Sequence, residues 1–253
     1  MPRGPAALPR GDDRAVTMQS APPTPVAGPV SDRQCVVLVH GYLANKLLLS
    51  LLARRLRGHG YRTDLWGYRN MWSSIQVLAD RFAGSLAALD ADPRIDLLHL
   101  VTHSMGGIVG RAALDRYRPR KLGRFVMLAP PNHGSFVATA MAGSFGRVLK
   151  PVAELSTAAD SMVNSLPTPA GVEIGVIAAA HDALVSAEST HPDVPHDHVT
   201  LPTWHTGLLF RRDTADLVAD FLATGRFPPQ PSGSHGVPAT FSLPRDAARE
   251  TGR

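Results

Sequence analysis

Residues 101–110 read VTHSMGGIVG, a serine at position 104 standing between an apolar run and three glycines, Gly106, Gly107 and Gly110. A serine hydroxyl is a weak nucleophile and becomes a useful one only with a base within hydrogen-bond reach. Where the base is an imidazole, a carboxylate behind it fixes the tautomer and stabilises the cation that forms. Backbone N–H groups are needed as well, to meet the oxyanion of an attacked carbonyl. The chain holds 11 histidines. Five of them, His181, His191, His196, His198 and His205, fall within 25 residues, interleaved with Asp182, Glu188, Asp193 and Asp197. The residue types for acyl transfer through a serine are present. The elements that carry them decide whether they converge.

Strand-like and helical runs alternate along the chain. Residues 35–40 (CVVLVH) form a continuous, β-branched apolar run, the pattern of a strand buried on both faces. A leucine-rich helix is predicted over 45–57, closed by Gly58 and Gly60, and a second strand over 61–66. Ile75, Leu78, Phe82, Leu86 and Leu89 share one helix face, with Ser73 or Ser74 as the N-cap. Further strands are predicted over 97–102, 124–128 and 172–178, with a short sixth over 198–201 and a closing helix over 213–223. Repeated β-α-β units imply a parallel sheet covered by helices on both faces. In such sheets ligands sit beyond the carboxyl ends of the strands.

Ser104 falls at one of those ends, between the strand 97–102 and the helix that carries Ile108, Val109, Ala112 and Ala113. A sharp strand-to-helix turn there strains the serine backbone and demands small neighbours. Gly106 would let the helix start pass close to the sheet, and Gly107 and Gly110 would let the helix pack tightly on it. The Met105 amide, at the helix N-terminus, would face the same space as the hydroxyl.

Thr102-His103-Ser104-Met105-Gly106 resembles the G-x-S-x-G nucleophile elbow of the α/β-hydrolases, with threonine at the position of the first glycine, where small residues also stand in lipases. Val39-His40-Gly41-Tyr42, at the end of the first strand, is similar to the oxyanion loop of the lipase type. The resemblance implies that the backbone amides of Tyr42 and Met105 form the oxyanion hole. It also implies the chain order serine, acid, histidine. Asp182, in the loop after the strand 172–178, matches the family's acid position. His205, in Pro202-Thr203-Trp204-His205-Thr206-Gly207, stands where the family keeps its histidine. The implied triad is Ser104, Asp182 and His205.

Other residues compete for these roles. His103 adjoins Ser104, but side chains of adjacent residues point apart, which makes it a poor base. His133, in Pro130-Pro131-Asn132-His133-Gly134-Ser135, lies in a segment similar to a strand-end loop that lines the site in lipase-like hydrolases. His198 with Asp197 is the rival to His205, but it begins a strand and so stands at the wrong end of the sheet. Glu188 and Asp193 are the alternatives to Asp182. The spacing of the five clustered histidines matches no zinc pattern, and no metal or other cofactor is expected.

The resemblance covers about 35–227 and implies an α/β-hydrolase fold of the small lipase/esterase type. Its expected sheet is mostly parallel, with about six strands, helices on both faces and a small helical cap over 135–166. The implied reaction is hydrolysis of a carboxylic ester with an apolar acyl group through an acyl-serine intermediate. Thioesterase, amidase and acyltransferase chemistry use the same triad, and a non-catalytic binder of a small apolar ligand shares the fold. Residues 1–34 and 228–253 are rich in proline and poor in large apolar side chains, as disordered segments are. Met1 and Met18 both stand as possible starts. The chain of 253 residues carries a formal charge of +5, but its arginines are scattered, and no nucleic-acid partner is expected. The expected partner is a small-molecule ester or lipid, with lipid contact at most peripheral. One cysteine, Cys35, excludes an intrachain disulfide. With no apolar stretch long enough to span a bilayer and no leader of the secretory kind, the expected location is cytoplasmic.

Overall fold

The computed structural model describes residues 30–42, 44–68, 73–134 and 166–229. The expected cap lies outside the described residues except for Leu166, as do nearly all of the two proline-rich end segments.

Six strands form one sheet: β1 (Gln34–Val39), β2 (Arg62–Trp66), β3 (Leu97–His103), β4 (Leu122–Leu128), β5 (Ile174–Ala179) and β6 (Asp197–Leu201). Their order is β2-β1-β3-β4-β5-β6, and every neighbouring pair is parallel. Both faces of the sheet are covered, which explains the unbroken apolar runs. Cys35, Val37 and Val39 join one core layer with Ile75, Leu78, Phe82 and Leu86 of α2 (Ile75–Ala91) and Ile108, Val109 and Ala112 of α3 (Met105–Arg116). Val36 and Leu38 point into the other, against Leu52 and Leu56 of α1 (Ser50–Gly58) and Val218, Phe221 and Leu222 of α4 (Arg212–Thr224).

The elements expected within the described residues are all present, with ends shifted by one or two residues. The first predicted helix divides into a 3-10 turn, Lys46–Leu49, capped by Asn45, and then α1. Ser74 rather than Ser73 caps α2, its hydroxyl accepting from the Val77 amide at 3.3 Å. The fourth strand begins at Leu122, two residues before the expected start, and the charge of Arg124 within it is met by Glu173 at 2.7 Å and by the Leu222 carbonyl. No helix among the described residues is long and apolar enough to cross a membrane.

The strand order sets where a site can form. The chain runs from β1 outward to β2, then returns to place β3 on the other side of β1. At such a switch the loops leaving the two strands diverge and open a crevice at their carboxyl ends. The loops concerned are 40–42 after β1 and the turn at Ser104 after β3.

Candidate active site

Ser104 joins β3 to α3 in a single residue, with φ 54° and ψ −130°. A positive φ is costly for a residue with a Cβ and is kept where the surroundings enforce it. Here the Ser104 N–H donates to the Leu128 carbonyl of β4 at 2.8 Å, and the Ser104 carbonyl accepts from Gly107 at 2.8 Å. The corner is packed to the limit. A Cβ on Gly106 would lie 2.7 Å from the carbonyl oxygens of both Val39 and His40, so α3 starts in contact with the backbone of β1. A Cβ on Gly41 would lie 2.8 Å from Ser104 Cβ and 3.3 Å from Ser104 Oγ, so the loop after β1 lies directly against the hydroxyl.

That loop is clasped to the end of β2. His40 Nδ1 meets the Gly41 carbonyl at 2.8 Å, and its Nε2 accepts from the Tyr68 amide at 3.2 Å. The Tyr68 hydroxyl donates to the His40 carbonyl, and the two rings stack at 4.2 Å. Nδ1 therefore carries the proton. Burial, the largest effect, lowers the His40 pKa and favours the neutral ring whose Nε2 lone pair the Tyr68 amide requires. Tyr42 follows, half-buried and packed against the core, while Met105, fully buried, opens α3.

Asp182 and His205 meet across the loops that follow β5 and β6. The pairing of those strands continues past their ends, through Ala180 to the Leu201 carbonyl and His181 to the Thr203 carbonyl. His205 Nδ1 lies 2.6 Å from Asp182 Oδ2, with side-chain exposures of only 10% and 2%. The second carboxylate oxygen accepts from the amides of Leu184 and Val185 at 2.8 and 3.0 Å. Burial alone pushes the Asp182 pKa up. The His205 bond and charge, with the two amides, outweigh it and hold the carboxyl below its ordinary range. An ionised acid on Nδ1 requires the proton there, which leaves the Nε2 lone pair as a base.

The serine corner and the histidine loop adjoin through His103. Its ring lies 4.8 Å from the His205 ring, and its Nε2 is 3.2 Å from the His205 carbonyl. Among the described residues no hydrogen bond joins the Ser104 hydroxyl to His205.

The competing residues are placed elsewhere. His198, near the start of β6, bonds Thr190 Oγ1 through Nε2 at 3.0 Å and stacks on His191 at 4.1 Å. Burial, then the neighbouring imidazoles, push its pKa down to about 3. Asp197 accepts from the amides of Phe227 and His198. Glu188 opens a 3-10 turn, and Asp193 faces His133 at 3.4 Å on the surface. Among the described residues no group of three or more histidine, cysteine or carboxylate side chains is arranged to hold a metal ion.

One feature of the site has no counterpart in the sequence reading. Arg111 on α3 is buried, and its guanidinium donates to the Asn132 side chain at 3.1 Å and to the Leu166 carbonyl. Asn132 in turn donates to the Thr190 carbonyl at 2.8 Å. The segment after β4, the chain returning at Leu166 and the loop before β6 are thus tied to the helix that begins at Ser104. The only signal for it in the sequence is a lone arginine on an otherwise apolar helix face.

No known family profile matches the chain. It is 24% identical over 107 residues to a protein of Mycoplasma pneumoniae described as "Putative esterase/lipase 3", a match spanning 42% of this chain and 39% of that one. Among solved structures it is similar to mature Bacillus licheniformis lipase BlEst2, with a TM-score of 0.62 and 18% identity over 79% of this chain and 96% of that chain. Legionella pneumophila phospholipase PlaB gives a TM-score of 0.60 at 16% identity, over 76% of this chain and 60% of that one. Aspergillus fumigatus lipase B also gives 0.60 at 16%, over 75% and 52%. The fold is that of the α/β-hydrolases.

Proposed function

We propose that this chain is a serine hydrolase that cleaves carboxylic esters with an apolar acyl group through an acyl-serine intermediate. The observation that carries the reading is the buried Asp182–His205 hydrogen bond at 2.6 Å, beside a serine held at φ 54° between strand and helix. Its relatives and structural neighbours, which are named as esterases, lipases and a phospholipase, support ester hydrolysis in general.

In this reading Ser104 Oγ attacks the ester carbonyl while His205 Nε2 takes its proton. The tetrahedral oxyanion is met by the amides of Tyr42 and Met105. His205 then gives its proton to the departing alcohol as the C–O bond breaks, leaving the acyl group on Ser104. Water repeats the sequence, with His205 again as base, and releases the acid. Asp182 keeps the proton on Nδ1 and stabilises the imidazolium. The Ser104–His205 bond closes as substrate is seated, since catalytic hydrogen bonds are commonly long before binding. No step calls for a cofactor.

The test is a set of p-nitrophenyl esters of graded acyl length, with fluorophosphonate labelling in parallel. Turnover and labelling that both vanish in Ser104→Ala support the reading. Wild-type turnover in that variant refutes it.

A further inference from the structure

Three buried side chains near Ser104 take no part in the reaction as proposed: His40, Arg111 and His103. His40 and Arg111 hold backbone segments. His103 touches the proposed base itself.

We propose that His103 is a positioning residue for His205, holding its main-chain carbonyl through Nε2–H and supporting its ring, so that the imidazole keeps the orientation that bonds Asp182. The inference rests on the reading of His205 as the base.

A carbonyl oxygen can only accept, so the 3.2 Å contact with the His205 carbonyl puts the proton of His103 on Nε2. The neutral ring then carries a lone pair on Nδ1, and that atom is buried with no partner among the described residues. An unmatched buried nitrogen is destabilising, and an apolar side chain of similar size would fill the space without it. Packing alone therefore does not account for a histidine here. The donor on Nε2 does, because it reaches across 102 residues of sequence to the residue whose placement matters most. The rings approach to 4.8 Å at a tilt of 54°, so the side chain of His103 also backs that of His205.

The groups facing His205 are Asp182 from the loop after β5 and His103 from the end of β3. His40, at the end of β1, lies close enough to bear on the charge of His103. Burial, then the His205 charge, push His103 down to about 3. It stays neutral through the working range, does not compete for the serine proton, and keeps its donor on the carbonyl.

The experiment compares His103→Leu, His103→Gln and His103→Asn in the full chain. Glutamine places an amide near the position of Nε2 and can donate to the carbonyl. Asparagine places its amide near the unpartnered Nδ1 and cannot. Two readouts are taken: the pH profile of kcat/KM on a p-nitrophenyl ester, and the downfield proton resonance of His205 Nδ1–H, assigned by its absence in His205→Ala. Leucine and asparagine should lower kcat by about ten- to a hundredfold, as small misplacements of a catalytic group do. KM should stay within about twofold, the acid limb should move, and the resonance should broaden or disappear. Glutamine should restore the resonance and bring kcat within about threefold of wild type.

The proposal fails if the leucine or asparagine variant keeps the resonance and the acid limb, or if glutamine is no better than asparagine. Should leucine prevent folding, the glutamine–asparagine contrast decides. If Ser104→Ala keeps full turnover, the catalytic reading has failed, and the resonance still reports whether His103 holds His205.

Discussion

Two regions of this molecule gather histidines beside carboxylates, and they differ in what surrounds them. In one, His103 ends β3 and His205 follows β6, with the Asp182 side chain almost wholly buried and bonded to His205 Nδ1. In the other, His191, His196 and His198 crowd the loop before β6, with His133 and Asp193 nearby. There the rings meet one another, His191 Nδ1 to His196 Nε2 at 2.8 Å, and Asp193 is 77% exposed. An exposed carboxylate is screened by water and orients nothing strongly. A buried one with both oxygens bonded fixes the ring it touches. Composition does not distinguish the proposed catalytic pair from a rim of histidines, whereas the burial of the acid does.

The largest losses are expected at Ser104 and His205. Replacing either with alanine should reduce turnover by roughly 10⁴–10⁶-fold, and the double variant should be scarcely worse than either single one, because the two act as a unit. Steady-state rates of the three proteins on one ester check this. Full activity in His205→Ala together with an inactive His198→Ala would exchange the roles of the two regions.

Asp182→Asn should come next, with a loss of about 10²–10⁴-fold in kcat, because the amide keeps the contact but no longer enforces the Nδ1–H tautomer. Asp193→Asn, the matching change in the other region, should leave kcat within about twofold of wild type. Equal losses from the two substitutions would remove the distinction drawn from burial.

The third test concerns activity in the outer cluster. His198→Gln keeps an N–H toward Thr190 and should change kcat by less than about threefold, since contacts remote from the reacting atoms carry little transition-state stabilisation. A hundredfold loss would place His198 in the machinery.

The smallest effect is on stability in acid. His198 and His103 are held at about 3 in the folded chain, against an ordinary value near 6.5. The unfolded chain therefore binds more protons between those values. The stability from keeping these rings neutral is complete above about pH 6.5 and is lost as the pH falls toward 3. Each ring steepens the decline by up to about 1.4 kcal/mol per pH unit. Thermal unfolding of His198→Gln should depend less steeply on pH in that window than wild type. An identical slope would show that His198 is not buried neutral.

Much of the fold was legible because strand and helix periods are local. The run 35–40 and the Ile75–Leu86 face could be read directly, and their burial follows from the sheet having two covered sides. The start of the fourth strand was less legible: Leu122 and Gly123 precede its expected first residue, Arg124, whose burial is made tolerable by the distant Glu173 and the Leu222 carbonyl. The corner at Ser104 was readable because glycine crowding is written in consecutive residues. The His103–His205 contact and the Arg111–Asn132–Thr190 chain were not, since their partners are 102, 21 and 58 residues apart and no local pattern links them. The positive φ of Ala129, 44°, likewise has no mark in the sequence.

The strand order also governs when activity can arise as the chain is made. Ser104 follows β3, in the middle of the sheet, whereas Asp182 and His205 follow β5 and β6, the last two strands at one edge. At usual elongation rates, roughly 5–20 s separate the synthesis of residue 104 from that of residue 205. During that interval the proposed nucleophile exists without its base. A nascent chain would be unable to acylate itself on esters around the ribosome, and reactivity would begin only when the final strand docks.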